Sequence, residues 1–139
     1  MEDQEDKYNH IKDILNKYDI NLVWKKSCQA GLMELLNNVY HILLLDMSMP
    51  ISENEPSKEN FNNYAGMSVL REIKRKKYTI KVIIVTGFND FQKGNEIITL
   101  NELESEIKEK YQKFYLGSVR YDSTSIEWQN KLLELLNLI

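Results

Sequence analysis

His41-Ile42-Leu43-Leu44-Leu45-Asp46-Met47-Ser48-Met49-Pro50 is an apolar run that stops at one carboxylate and turns into a loop. A run of this kind suits a strand buried on both faces of a parallel sheet, and open α/β sheets gather their chemistry at the carboxyl ends of such strands. Asp46 stands at that place. Lys81-Val82-Ile83-Ile84-Val85-Thr86 repeats the pattern and stops at Thr86-Gly87, so two strands end in candidate site residues.

Outward from these strands, the periodicity alternates between helix and strand. Tyr8, Ile11, Ile14, Leu15 and Tyr18 fall at helical spacing and predict a helix over 7–18. Ile20, Leu22 and Trp24 alternate and predict a short edge strand, protected from further pairing by Lys25 and Lys26. Leu32, Met33, Leu36 and Val39 mark a helix from near Ser27 to Asn37-Asn38. Met67, Leu70 and Ile73 give another after Gly66, ending in Lys74-Arg75-Lys76-Lys77, where cations complement the helix C-terminus.

Thr99-Leu100-Asn101-Glu102 has capping-box spacing and opens a helix lined by Leu103, Ile107 and Tyr111. Residues 114–121 (FYLGSVRY) read as the last strand, with Gly117 marking a close backbone approach. Thr124 to Glu127 repeats the capping spacing before a closing helix with Trp128, Leu132, Leu135, Leu136 and Ile139. Strands alternating with helices through short connections define a doubly wound α/β fold with a parallel sheet covered on both faces. The exceptions are a polar loop over 51–65, which carries Pro56, and an extended stretch from Phe88 to Thr99.

The chain has 139 residues, enough for one domain spanning 1–139, and shows no output domain. A formal net charge of -3 gives no reason to expect nucleic acid or acidic membranes as partners. Cys28 is the single cysteine, no apolar run reaches membrane-spanning length, and the start Met-Glu-Asp-Gln-Glu-Asp is not a targeting segment, so the expected compartment is the cytoplasm.

LLLDMSMP at 43–50, the glycine-led helix from Gly66 and KVIIVTGF at 81–88 together resemble a response-regulator receiver domain over most of the chain. The resemblance implies a flavodoxin-like three-layer sandwich with strand order 2-1-3-4-5. It implies that Asp46 accepts a phosphoryl group from a histidine kinase or related ATPase protein. Glu2 and Asp3 resemble the family's acidic pair, which binds Mg²⁺ together with Asp46. Thr86 matches the hydroxyl that senses the phosphoryl group, and Tyr115 is the candidate switch aromatic. The implied activity is that of a stand-alone two-component signalling module rather than an enzyme. Phosphorylation would change the affinity of the face made by the fourth helix, last strand and last helix for a downstream protein or a second copy of the chain.

Two departures from that pattern stand in the sequence. Met1 falls where the family's first strand should be ending, so that strand is incomplete, and the expectation is a natural start further upstream. The last strand lacks the family's lysine; Arg120 is the nearby cation, and a guanidinium is no automatic replacement for an ammonium. A degenerate receiver that binds partners without phosphorylation is therefore an open alternative. A haloacid-dehalogenase-like phosphatase with Asp46 as nucleophile is a third, weakened because Ser48 stands where its general acid belongs.

Each candidate also has a structural reading. Asp46 and Thr86 can cap turns, and Glu2 and Asp3 can belong to a frayed acidic terminus. His10 and His41 lack metal-pair spacing, Trp24 and Trp128 suit core or interface packing, and Cys28 suits a small buried position.

Overall fold

The computed structural model of the chain describes residues 1–52 and 65–138. Most of the 51–65 loop therefore lies outside the described residues. In chain order the elements are α1 (Glu5–Leu15), α2 (Cys28–Asn37), β1 (Ile42–Leu45), α3 (Gly66–Lys76), β2 (Lys81–Thr86), β3 (Asp90–Lys93), β4 (Glu96–Thr99), α4 (Leu100–Tyr111), β5 (Tyr115–Arg120) and α5 (Glu127–Leu135).

β1, β2 and β5 form a parallel sheet in that order, with Leu45 opposite Ile84 and Thr86 opposite Arg120. Alternate strand residues enter opposite helical layers, as a two-residue period requires. Leu43, Leu45, Val82 and Ile84 pack with α2, α3 and α4, whereas Ile83, Val85 and Val119 pack with Ile11 and Leu15 of α1 and Trp128 and Leu132 of α5. The result is the doubly wound three-layer arrangement expected from the sequence.

Local chemistry fixes several boundaries. Ser27 Oγ accepts from Ala30 N at 3.1 Å to start α2, and Thr99 Oγ1 accepts from Glu102 N at 3.2 Å to start α4. The second expected capping box does not form. Thr124 Oγ1 instead donates to Asp122 at 2.7 Å, and Ser125 Oγ accepts from Glu127 N. An aspartate two residues upstream offers the Thr124 hydroxyl a charged local partner, which competes with the helix end.

The edge strand expected over Ile20–Trp24 makes no ladder. Beside it, Met1 N donates to Leu44 O at 2.7 Å, Asp46 N to Met1 O at 3.1 Å, and Glu2 N to Lys25 O at 2.9 Å. Beyond these two residues a cavity of about 620 Å³ opens between β1 and residues 20–24, lined by Leu15, Leu22, Leu35, Ile42 and Leu44. The 20–24 segment stays irregular, with Ile20 N donating back to Tyr18 O at 2.9 Å.

The stretch 88–99 is an antiparallel hairpin, β3 with β4, which periodicity alone did not reveal. Gly94, at φ 61°, is the first residue of its two-residue turn, where a positive φ is required. Phe91 anchors the hairpin and is fully buried.

Candidate functional site

The carboxyl end of β1 delivers Asp46 into the interior, 4 % exposed. Ser48 holds its Oδ1 twice, through the backbone N–H and the hydroxyl, each at 3.1 Å. The loop can turn so tightly because α3 begins at Gly66: a Cβ there would stand 2.9 Å from both Asp46 O and Met47 Cα. Gly66 N also donates to Met47 O at 2.9 Å, which ties the helix start to the loop after Asp46.

The hydrogen bonds of Met1 to Leu44 O and Asp46 N bring Glu2 and Asp3 to the same place. Glu2, Asp3 and Asp46 each offer a carboxylate oxygen, all within 4.8 Å of one another. Glu2 is buried, and neither its Oε2 nor Asp3 Oδ1 has a hydrogen-bond donor. Burial, followed by the nearby Asp46 charge, pushes the Glu2 carboxyl up to about 8; the same causes raise Asp3. Three converging carboxylates with unsatisfied oxygens have the donor chemistry of a hard divalent cation site. Trp24 braces this segment, donating from Nε1 to Glu2 O at 2.6 Å and stacking on Tyr8 at 4.0 Å between centroids.

The sequence reading did not anticipate Lys7. Its ammonium lies 2.7 Å from Glu2 Oε1 and 3.2 Å from Asp46 Oδ2, donates to Val85 O at 2.7 Å, and stands over the Tyr121 ring at 5.8 Å. The signal was available: Lys7, Ile11 and Leu15 are spaced i, i+4, i+8 and form the buried stripe of α1. Arg120 is turned elsewhere, its Nη1 donating to Tyr121 O at 3.0 Å. The cation beside Asp46 thus comes from the first helix, not the last strand.

Thr86 is wholly buried at the end of β2, and its Oγ1 accepts from Phe88 N at 3.2 Å. Tyr115 is buried under α4, with its hydroxyl bonded to Ser118 Oγ and, at 3.1 Å, to Glu104 Oε2. Tyr121, also missed, bonds to His10 through its hydroxyl and packs edge-on against Trp128. Its N–H reaches Thr86 O at 2.7 Å. Cys28 is buried and its thiol lies 3.8 Å from Ala65 O.

Comparison with solved structures gives a TM-score of 0.60 and 17 % identity to the response regulator protein TrrA of Thermotoga maritima, solved with Mg²⁺-BeF, over 96 % of this chain and 93 % of that one. The N-terminal domain of a response regulator/sensory box/GGDEF three-domain protein from Carboxydothermus hydrogenoformans gives 0.62 at 16 % identity, over 99 % and 87 %. The fold is that of a response-regulator receiver.

Sequence relatives of the chain include the Detocs response regulatory protein DtcB of Enterobacter cloacae, 32 % identical over 101 residues, covering 68 % of this chain and 65 % of DtcB. Protein y4jR of Sinorhizobium fredii is 27 % identical over 106 residues, covering 74 % and 70 %. No protein-family model matches the chain. Among the described residues, no helix is long and apolar enough to cross a membrane.

Proposed function

We propose that this chain is a single-domain signalling receiver that accepts a phosphoryl group on Asp46 and uses it to change a protein-interaction face in two-component signalling. The observation that carries the reading is the meeting of Asp46, Glu2 and Asp3 at the sheet end, with two carboxylate oxygens left without donors. Glu2, Asp3 and Asp46 would hold Mg²⁺, which when bound neutralises charge on the incoming phosphoryl oxygens. An Asp46 oxygen forms the new P–O bond as the donor's P–N or P–O bond breaks, and the leaving imidazole or carboxylate takes the electron pair. Thr86 supplies a hydroxyl at the neighbouring strand end. Tyr115 ties β5 to α4 through Glu104, so a change at Thr86 has a packed route to the α4–β5–α5 face. Its partners on this reading are a histidine kinase or related ATPase protein and a downstream protein or second copy.

The test is incubation with Mg²⁺ and acetyl phosphate, read by intact mass, with Asp46→Asn as control. An adduct requiring both Mg²⁺ and Asp46 supports the reading; a folded protein that acquires none overturns it.

A phosphorylation-independent receiver is the second reading. It is favoured by the engagement of both Asp46 oxygens, Oδ1 by Ser48 and Oδ2 by Lys7, which leaves the acceptor tied down. The phosphatase reading gains nothing, because Ser48 spends its hydroxyl on Asp46 and a hydroxyl is a poor general acid at neutral pH.

A further inference from the structure

We infer that the Lys7 ammonium and a divalent cation are alternative occupants of the carboxylate cluster, so that Lys7 acts as a built-in competitor setting how readily the receiver takes up metal. This rests on the metal-binding part of the proposed function and adds to it a residue that controls the site.

The geometry is specific. An ammonium has three N–H bonds, and three oxygens lie within reach of this one: Glu2 Oε1 at 2.7 Å, Asp46 Oδ2 at 3.2 Å and Val85 O at 2.7 Å. Lys7 is 3 % exposed, so water screens little of its interaction with the two carboxylates. Glu2 and Asp46 are two of the three residues whose oxygens converge as cation ligands. A metal drawing on both must either take oxygens that Lys7 now holds or sit beside a fixed positive charge.

Both routes weaken binding, the first by steric exclusion and the second by like-charge repulsion, which is strong at this range in a poorly screened site. The two effects share a sign. The α1 stripe supplies the anchor, since Ile11 and Leu15 are buried one and two turns further along and fix the helix against the sheet. The lysine stem therefore enters from a packed element rather than a free chain end.

The test uses the full chain and Mg²⁺ alone, titrated calorimetrically into the wild type, Lys7→Met and Lys7→Arg. Methionine keeps much of the stem without the charge; arginine keeps the charge. Lys7→Met should bind Mg²⁺ at least about tenfold more tightly than wild type, with Lys7→Arg staying near wild type. A wild-type measurement guards against a variant that fails to fold. The buried Lys7 side-chain ¹⁵N resonance, followed by NMR, should shift or vanish at saturating Mg²⁺ as its bonds to Glu2 and Asp46 are lost.

Equal or weaker binding by folded Lys7→Met, or an unmoved Lys7 resonance in Mg²⁺-saturated wild type, overturns the inference while leaving the receiver reading intact. Absence of Mg²⁺ binding in every form overturns the metal part of that reading as well.

Discussion

Lys7 Nζ and Asp46 Oδ2 stand 3.2 Å apart in the interior, one carried by the first helix and the other by the end of β1. Neither position is costless. Buried ions lose several kcal/mol of hydration each, and removing one partner leaves the other uncompensated. Lys7→Ala should therefore lower the unfolding free energy by about 3 kcal/mol in metal-free buffer. Urea denaturation with and without Mg²⁺ checks this, and the loss should shrink when Mg²⁺ is present.

Gly66 is required by space rather than by backbone angle. A Cβ there meets Asp46 O and Met47 Cα, both at 2.9 Å and both main-chain atoms that cannot rotate away. Gly66→Ala should cost about 1–3 kcal/mol through overpacking. It should also slow Asp46 phosphorylation by displacing the acceptor loop, measured as adduct formation against time at a denaturant-free temperature where the variant is folded.

Tyr115→Phe removes a hydroxyl that bridges Ser118 and Glu104 while leaving the ring in place. A loss of about 1 kcal/mol in stability is expected, as for an ordinary buried hydrogen bond. Amide exchange in α4 around Glu104 should quicken, whereas α1 and α5, on the other face of the sheet, should not respond.

β1 is paired unevenly. His41 O accepts from Lys81 N on the β2 side, while Leu44 O and Asp46 N turn the other way, towards Met1. By the alternation of a strand, the Leu44 N–H faces the cavity. It should exchange with solvent far faster than the amides of Leu43 and Leu45. A short apolar extension added ahead of Met1 should protect it and raise the melting temperature by burying surface now lining the cavity.

The sheet and both helical layers were legible in the sequence because β1 and β2 are long apolar runs and α3 and α4 carry strong helical stripes. The 88–99 hairpin was not, since Phe91 and Ile98 are its buried contacts and neither strand alternates clearly. Asp46 and Thr86 stand out because each ends an apolar run. Lysine ordinarily faces solvent, so only the place of Lys7 on the Ile11–Leu15 stripe betrays it, and pairing with Glu2 close by in the chain and Asp46 far along it explains the exception. The strand expected at 20–24 did not form, because alternation of Ile20, Leu22 and Trp24 marks which residues can face a core but does not supply the ladder partner a strand needs.

The cluster joins the second residue of the chain to the forty-sixth and, through the Lys7 bond to Val85 O, spans 78 positions. Contacts of such separation carry a larger loop-closure entropy than local ones and form more slowly. A nascent chain emerging from the ribosome must hold Glu2 and Lys7 in waiting until β2 has been synthesised and has docked on β1. The completed cluster thus reports that β1 and β2 have come together, and whatever fills it arrives at a molecule in which that pair of strands is already in place.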